Sequence, residues 1–201
     1  MDLVDFQIAK YVEEGDIGIT PYNPVNLQPN SYDVHLGDHY IVFSGVDRRR
    51  SGQYLPALEK PIDVRDPQAL QKLLDSGHAH EVNCDEFTIY PGDAVLGHTI
   101  EIISLPPHIR AIINGKSSLA RWFLEIHQTG GYIDAGFSGQ ITLEMTLGMP
   151  AGYPLTIYSG MPIAQLAFTV CTSCQVPYNH RRGAKYNNQM GATPSQYHKN
   201  F

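Results

Sequence analysis

Two serines, a lysine and an arginine crowd into Gly115-Lys116-Ser117-Ser118-Leu119-Ala120-Arg121. The segment falls where a strand pattern gives way to a helix pattern. Free backbone N–H groups, both hydroxyls, Lys116 and Arg121 can therefore converge on a phosphate. It is not a P-loop, because Arg110 stands where that motif's first glycine belongs. A plain helix cap at Ser117 or Ser118 explains the same residues equally well.

Two carboxylates follow. In Gln140-Ile141-Thr142-Leu143-Glu144-Met145-Thr146 strict alternation puts Ile141, Leu143 and Met145 on one face and Thr142 and Glu144 on the other. If that second face meets solvent, Glu144 is an ordinary surface acid; if it lines a pocket, partial desolvation suits it to proton shuttling. Asp134 sits in Ile133-Asp134-Ala135-Gly136-Phe137, a turn between strands, where it either makes local hydrogen bonds or aims at a water or sugar hydroxyl.

Cys171-Thr172-Ser173-Cys174, with Cys84 as a third thiol, invites a zinc or redox reading. Zinc needs a fourth ligand, and no histidine pair with zinc-finger spacing follows Cys171 and Cys174. The H-x-E and P-C-x-x-C pattern of zinc-dependent base deaminases is also missing, since Val170 precedes Cys171. The expectation is strand-end cysteines and no metal bound by protein side chains. Arg48-Arg49-Arg50 could hold phosphate, but a solvated loop is the preferred reading.

The elements that must position these residues read as mainly β. Short β-branched and aromatic runs recur between Pro and Gly punctuation at 86–90, 94–103, 111–113, 140–147, 155–158 and 163–170, with an earlier strand and turn at 31–37. Such spacing predicts an antiparallel sandwich or barrel. Three helices are predicted: 3–14, stopped by Gly15; one entered through Asp66-Pro67 and closed by Gly77; and 117–125. Residues 178–201 are polar and rich in Gly, Asn and Gln, more a flexible arm than core.

A chain of 201 residues supports one sizeable core, so a single domain over 1–201 is expected. No apolar run is long enough to span a bilayer, and the acidic start lacks a signal peptide's basic region, so a cytoplasmic protein with no membrane partner is expected. Net charge is -6, which argues against a nucleic-acid binder. No Asp or Glu follows Glu144, while Arg181, Arg182, Lys185 and Lys199 do. A positive tail on an acidic body points to a small anionic ligand or a neighbouring subunit.

Four ordered blocks resemble the dCTP deaminase branch of the dUTPase-like superfamily. They are Gly115–Arg121; His127-Gln128-Thr129-Gly130-Gly131-Tyr132-Ile133-Asp134 running on to Glu144; Gly160-Met161-Pro162-Ile163-Ala164-Gln165-Leu166; and Ala184-Lys185-Tyr186-Asn187-Asn188-Gln189-Met190-Gly191. The resemblance is weak in 45–85 and dense in 110–201. It implies a dUTPase-like distorted β-barrel or jelly-roll-like fold with a few short helices. It also implies a homotrimer with sites between subunits, and an arm, 178–201, that closes over the nucleotide.

On that resemblance the substrates are dCTP and dUTP, with dTTP a candidate regulator. Glu144 would take the proton from a water attacking C4 of cytosine and pass protons on to the departing ammonia. Ser117, Arg121 and the Gly130 backbone would place that water. Lys116, Ser117, Ser118, Thr142, Leu143, Tyr178, Lys185 and Gln189 would contact the nucleotide, with Mg2+ carried on its triphosphate. Gly131, Tyr132 and Gln165 match the bifunctional members better than the single-function ones, so dUMP and pyrophosphate are the expected products, with Asp134 helping to place the water at the α-phosphorus. Gly130 stands where the family has alanine, which keeps a diphosphatase acting on dCTP or dUTP without deamination as the alternative. A nucleotide-sensing protein without chemistry is the third reading, opposed by Glu144, Asp134, Ser117 and Arg121.

Overall fold

The computed structural model describes residues 1–47 and 52–201, so the reading of Arg48, Arg49 and Arg50 lies outside the described residues. Helix α1 (Asp5–Glu13) is followed by strands β1 (Gly18–Thr20), β2 (Leu27–Gln28), β3 (Ser31–His35) and β4 (His39–Phe43). After α2 (Ala69–Asp75) come β5 (Ala79–Asn83), β6 (Glu86–Ile89), β7 (Ala94–Ser104) and β8 (Ile109–Gly115). The single turn α3 (Ser117–Ala120) leads to β9 (Leu124–Glu125), β10 (Tyr132–Ile133), β11 (Ser138–Leu147), β12 (Leu155–Tyr158) and β13 (Pro162–Val170).

The strands pair antiparallel throughout the described residues. One sheet runs β5-β4-β7-β11-β9 with β1 also on β7, a second runs β10-β8-β13-β3-β2, and β12 pairs β6. The mainly β expectation holds. Alternation explains how the sheets share one core: Ile141, Leu143, Met145 and Leu147 of β11 are buried together with Ile163, Leu166 and Phe168 of β13. Among the described residues no helix is long and apolar enough to cross a membrane.

Three expectations shift. Helix α2 begins at Ala69, not at Asp66, because the Asp66 carboxylate turns the chain first, accepting from the Gln68 N–H at 2.9 Å and pairing with Lys72 Nζ at 2.5 Å. The helix expected over 117–125 stops after one turn. Phe123 takes a left-handed φ of 56°, and Leu124, 3% exposed, enters a strand opposite Leu147. Burying Leu124 and pairing its backbone outweighs the modest helix propensity of Trp122 and Phe123.

The polar tail is not free of the core. The Gln140 N–H donates to Gln189 O at 3.0 Å, and the N–H groups of Gly191, Ala192 and Thr193 donate to Gln140 Oε1, His39 Nδ1 and Thr142 Oγ1 at 2.6, 3.2 and 3.3 Å. Ala192 is buried. The tail is laid along β11 by backbone groups whose partners composition does not show.

Candidate active site

Strand β11 aims Glu144 by means of an irregularity. Gln140 pairs with Ile102 but Thr142 pairs with His98, so β7 spends two extra residues against β11 there. The Thr99 hydroxyl fills the gap, accepting from the Ile141 N–H at 2.9 Å and donating to Glu101 O at 2.8 Å. Bulges of this kind bend a strand and redirect its side chains. Beyond it, Thr142 and Glu144 stand half-buried on the face opposite Leu143 and Met145.

That face lines a cavity of about 700 Å³. Glu144, Thr142 and Ile141 come from β11, and Gly130, Tyr132, Ile133, Asp134 and Phe137 from the segment before it. Phe43 and Leu96 lie on β4 and β7, and the tail supplies Tyr178, Tyr186, Gln189, Thr193 and Ser195. Glu144 Oε2 accepts from the Gln128 N–H at 3.2 Å. A Cβ at Gly130 would lie 3.6 Å from both Glu144 oxygens, in ordinary van der Waals contact, so Gly130 stands beside the carboxylate. The cavity thus holds a proton acceptor at one side and a second carboxylate, Asp134, at another, with mixed polar and aromatic walls.

The neighbouring glycines are steric necessities. A Cβ at Gly131 would lie 2.9 Å from Ile113 O and 3.1 Å from the His127 ring. At Gly136, with φ of 86°, it would lie 2.5 Å from Pro177 Cβ, so the Asp134 turn and the root of the tail touch there. The Tyr178 N–H donates to Ala135 O at 2.9 Å, and the Tyr178 hydroxyl accepts from the Tyr186 N–H at 3.1 Å. Gln189 Nε2 donates to Gln140 O at 2.8 Å, which spends part of its side chain on holding the tail.

Beside β11, His98 of β7 pairs with Thr142 and supports the tail's seat. Its Nδ1 donates to Thr99 O at 2.9 Å and its Nε2 accepts from the His39 N–H at 3.4 Å. Burial holds the His98 pKa below its ordinary value, so the ring stays neutral.

The expected site residues do not all meet. Glu144, Asp134, Thr142, Gly130, Tyr132, Tyr178 and Gln189 meet in one cavity. Lys185 lines an adjoining hollow with Asp134, Arg181 and Tyr186, and its Nζ donates to Asn200 Oδ1 at 2.5 Å. Lys116, Ser117, Ser118, Arg121 and Gln165 do not line the cavity. Lys116 is paired with Asp33, and Gln165 sits in β13 opposite Asp33 and Asn114, in the other sheet. Ser117, Ser118 and Arg121 are exposed. The Leu143 side chain is fully buried in the core, since alternation turns it away from Glu144's face. Residues missed in sequence are Phe43, Leu96, Gln128, Ile133, Phe137, Ile141, Tyr186, Thr193 and Ser195; the run His39-Tyr40-Ile41-Val42-Phe43 carried a strand signal for the first of them.

Among the described residues no three His, Cys, Asp or Glu side chains gather as a metal site. The Asp134 carboxylate is exposed and lines the cavity and the hollow beside Lys185, so its oxygens are of the hard donor type that suits a hydrated Mg2+.

A model of the family described as dCTP deaminase-like matches residues 3–171. A Methanosphaerula palustris protein named "dCTP deaminase, dUMP-forming" is 42% identical over 200 residues, covering 100% of this chain and 97% of its own. A Corynebacterium efficiens protein of the same name is 38% identical over 203 residues, covering 100% and 96%. The solved 2'-deoxycytidine 5'-triphosphate deaminase from Agrobacterium tumefaciens shares the fold, with TM-score 0.59 at 21% identity; the match covers 84% of this chain and 48% of that one. A family match running through both sheets, with full-length relatives at this identity, means that the chain belongs to the dCTP deaminase-like family.

Proposed function

We propose that this chain converts dCTP and water to dUTP and ammonia, and then dUTP and a second water to dUMP and pyrophosphate. The observation that carries the reading is that Glu144 shares one cavity with Gly130, Asp134 and the tail residues Tyr178 and Gln189. The name of the full-length relatives, dUMP-forming, supports the coupled reaction over diphosphate cleavage without deamination.

In this reading Glu144 removes a proton from the water that attacks C4 and returns protons to the ring nitrogen and the leaving ammonia. The Gly130 carbonyl orients that water. Asp134 orients the second water at the α-phosphorus. Mg2+ carried on the triphosphate would reduce charge repulsion at that end. The tail residues Tyr178, Lys185 and Gln189 cover the nucleotide.

Ser117 and Arg121 do not line the cavity of their own chain, so the proposed enzyme is a homotrimer in which a neighbour's α3 loop completes each site. Exposed Trp122 and Phe123 beside that loop, at 58% and 60%, support its burial against another copy. The test is incubation of dCTP with Mg2+, measuring ammonia and pyrophosphate separately. Both should appear with dUMP, and Glu144→Gln should abolish ammonia release; dCMP without ammonia, or deamination retained by the variant, would refute the assignment.

A further inference from the structure

Behind the wall that carries Tyr132 and Asp134 lies a second hollow of about 200 Å³, lined by Arg110 among others. Tyr132, Asp134 and Tyr178 face both spaces, whereas Glu144 and Gly130 face only the larger. The wall between the two spaces is therefore Asp134's neighbourhood and not Glu144's.

Strand register decides what stands behind that wall. Tyr132 pairs with Ile112, so Arg110, two residues away on β8, is its diagonal neighbour on the same face. The Arg110 guanidinium carbon lies 5.0 Å from the Tyr132 ring centroid, inside the range of a cation–π contact. Tyr132 is 59% exposed and its hydroxyl makes no hydrogen bond among the described residues, so the arginine is the group that restrains the ring. Arg110 forms no ion pair there, and its Nη1 is buried without a hydrogen-bond partner. A buried donor is normally paired. Here the contact the guanidinium makes is with the ring face.

We propose that Arg110 is a positioning residue: by holding the Tyr132 ring it sets the wall beside Asp134, and so tunes diphosphate cleavage while leaving deamination at Glu144 alone. The proposal rests on the coupled reaction proposed above. Arg110→Met keeps the stem and removes the cation; Arg110→Lys restores the charge without the planar stack.

With dUTP as substrate, Arg110→Met should lower kcat for pyrophosphate release about fivefold, the scale of one cation–π contact. Ammonia release from dCTP should stay within about twofold of the parent. Arg110→Lys should recover part of the loss. In a Tyr132→Ala background Arg110→Met should change nothing further, because the group it acts through is gone. Equal loss of both activities, or an undiminished effect of Arg110→Met without Tyr132, would overturn the proposal. If the parent protein releases no pyrophosphate, it is the coupled reading that fails. The same cycle is then read on affinity for α,β-imido-dUTP, where a loss that depends on Tyr132 supports the proposal and an unchanged affinity overturns it.

Discussion

If the protein is the homotrimer proposed above, mixed trimers would separate a shared site from one contained in a single chain. Glu144 lines the cavity, while Arg121, exposed just after α3, does not. Glu144→Gln removes the proposed base and Arg121→Ala removes a cation that would steady developing charge. Alone, each variant should lose on the order of 100-fold or more in ammonia release. The two are then co-expressed with different tags and purified through both, so every trimer contains both kinds of chain. In a closed ring each cavity faces one neighbour's loop. Whether a ring holds two of one kind or two of the other, roughly one junction in three joins an intact Glu144 to an intact Arg121. Ammonia release per chain should therefore return to about a third of the parent's, from two parents that are each nearly inactive. Native mass spectrometry confirms the mixed composition. Mixed trimers as inactive as either parent would show that the α3 loop does not complete a neighbour's cavity.

Three further outcomes follow from the packing and burial. Gly131→Ala should destabilise by about 1–3 kcal/mol, because its Cβ must displace a backbone carbonyl and the His127 ring, whereas Gly130→Ala, with only 3.6 Å contacts, should melt near the parent temperature. His98 has a folded pKa depressed below 6.5 by burial, so the unfolded chain binds the extra proton first. Its contribution is present above 6.5 and is lost as pH falls below that value; His98→Gln should flatten that part of a melting-temperature profile, and an unchanged slope would refute it. Asp33→Ala strands Lys116, since the pair's side chains are 8% and 24% exposed; denaturant unfolding should report a loss of about 3 kcal/mol.

The strands of β7, β11 and β13 were legible because alternation and β-branched runs are local properties, and the same alternation placed Glu144 opposite the buried Ile141, Leu143 and Met145. The reading of 117–125 as a helix failed because the burial of Leu124 depends on Leu147, more than twenty residues away in sequence. The tail looked unstructured because its docking uses backbone N–H groups and the side chains of His39, Gln140 and Thr142, none of which composition distinguishes. Arg110 appeared in sequence only as the residue that rules out a P-loop; its place against Tyr132 depends on β8–β10 register.

The order of residue types along the chain determined the mainly β class, the carboxylate-bearing face of β11 and the family resemblance, all of which depend on neighbours within a few positions. Tertiary structure decided which of the expected residues share a space. It gathered Glu144, Gly130, Asp134 and the tail, and left Ser117 and Arg121 outside. The physical reason is that strand pairing and bulges join residues far apart in sequence, and a one-residue change of register turns a side chain from cavity to core.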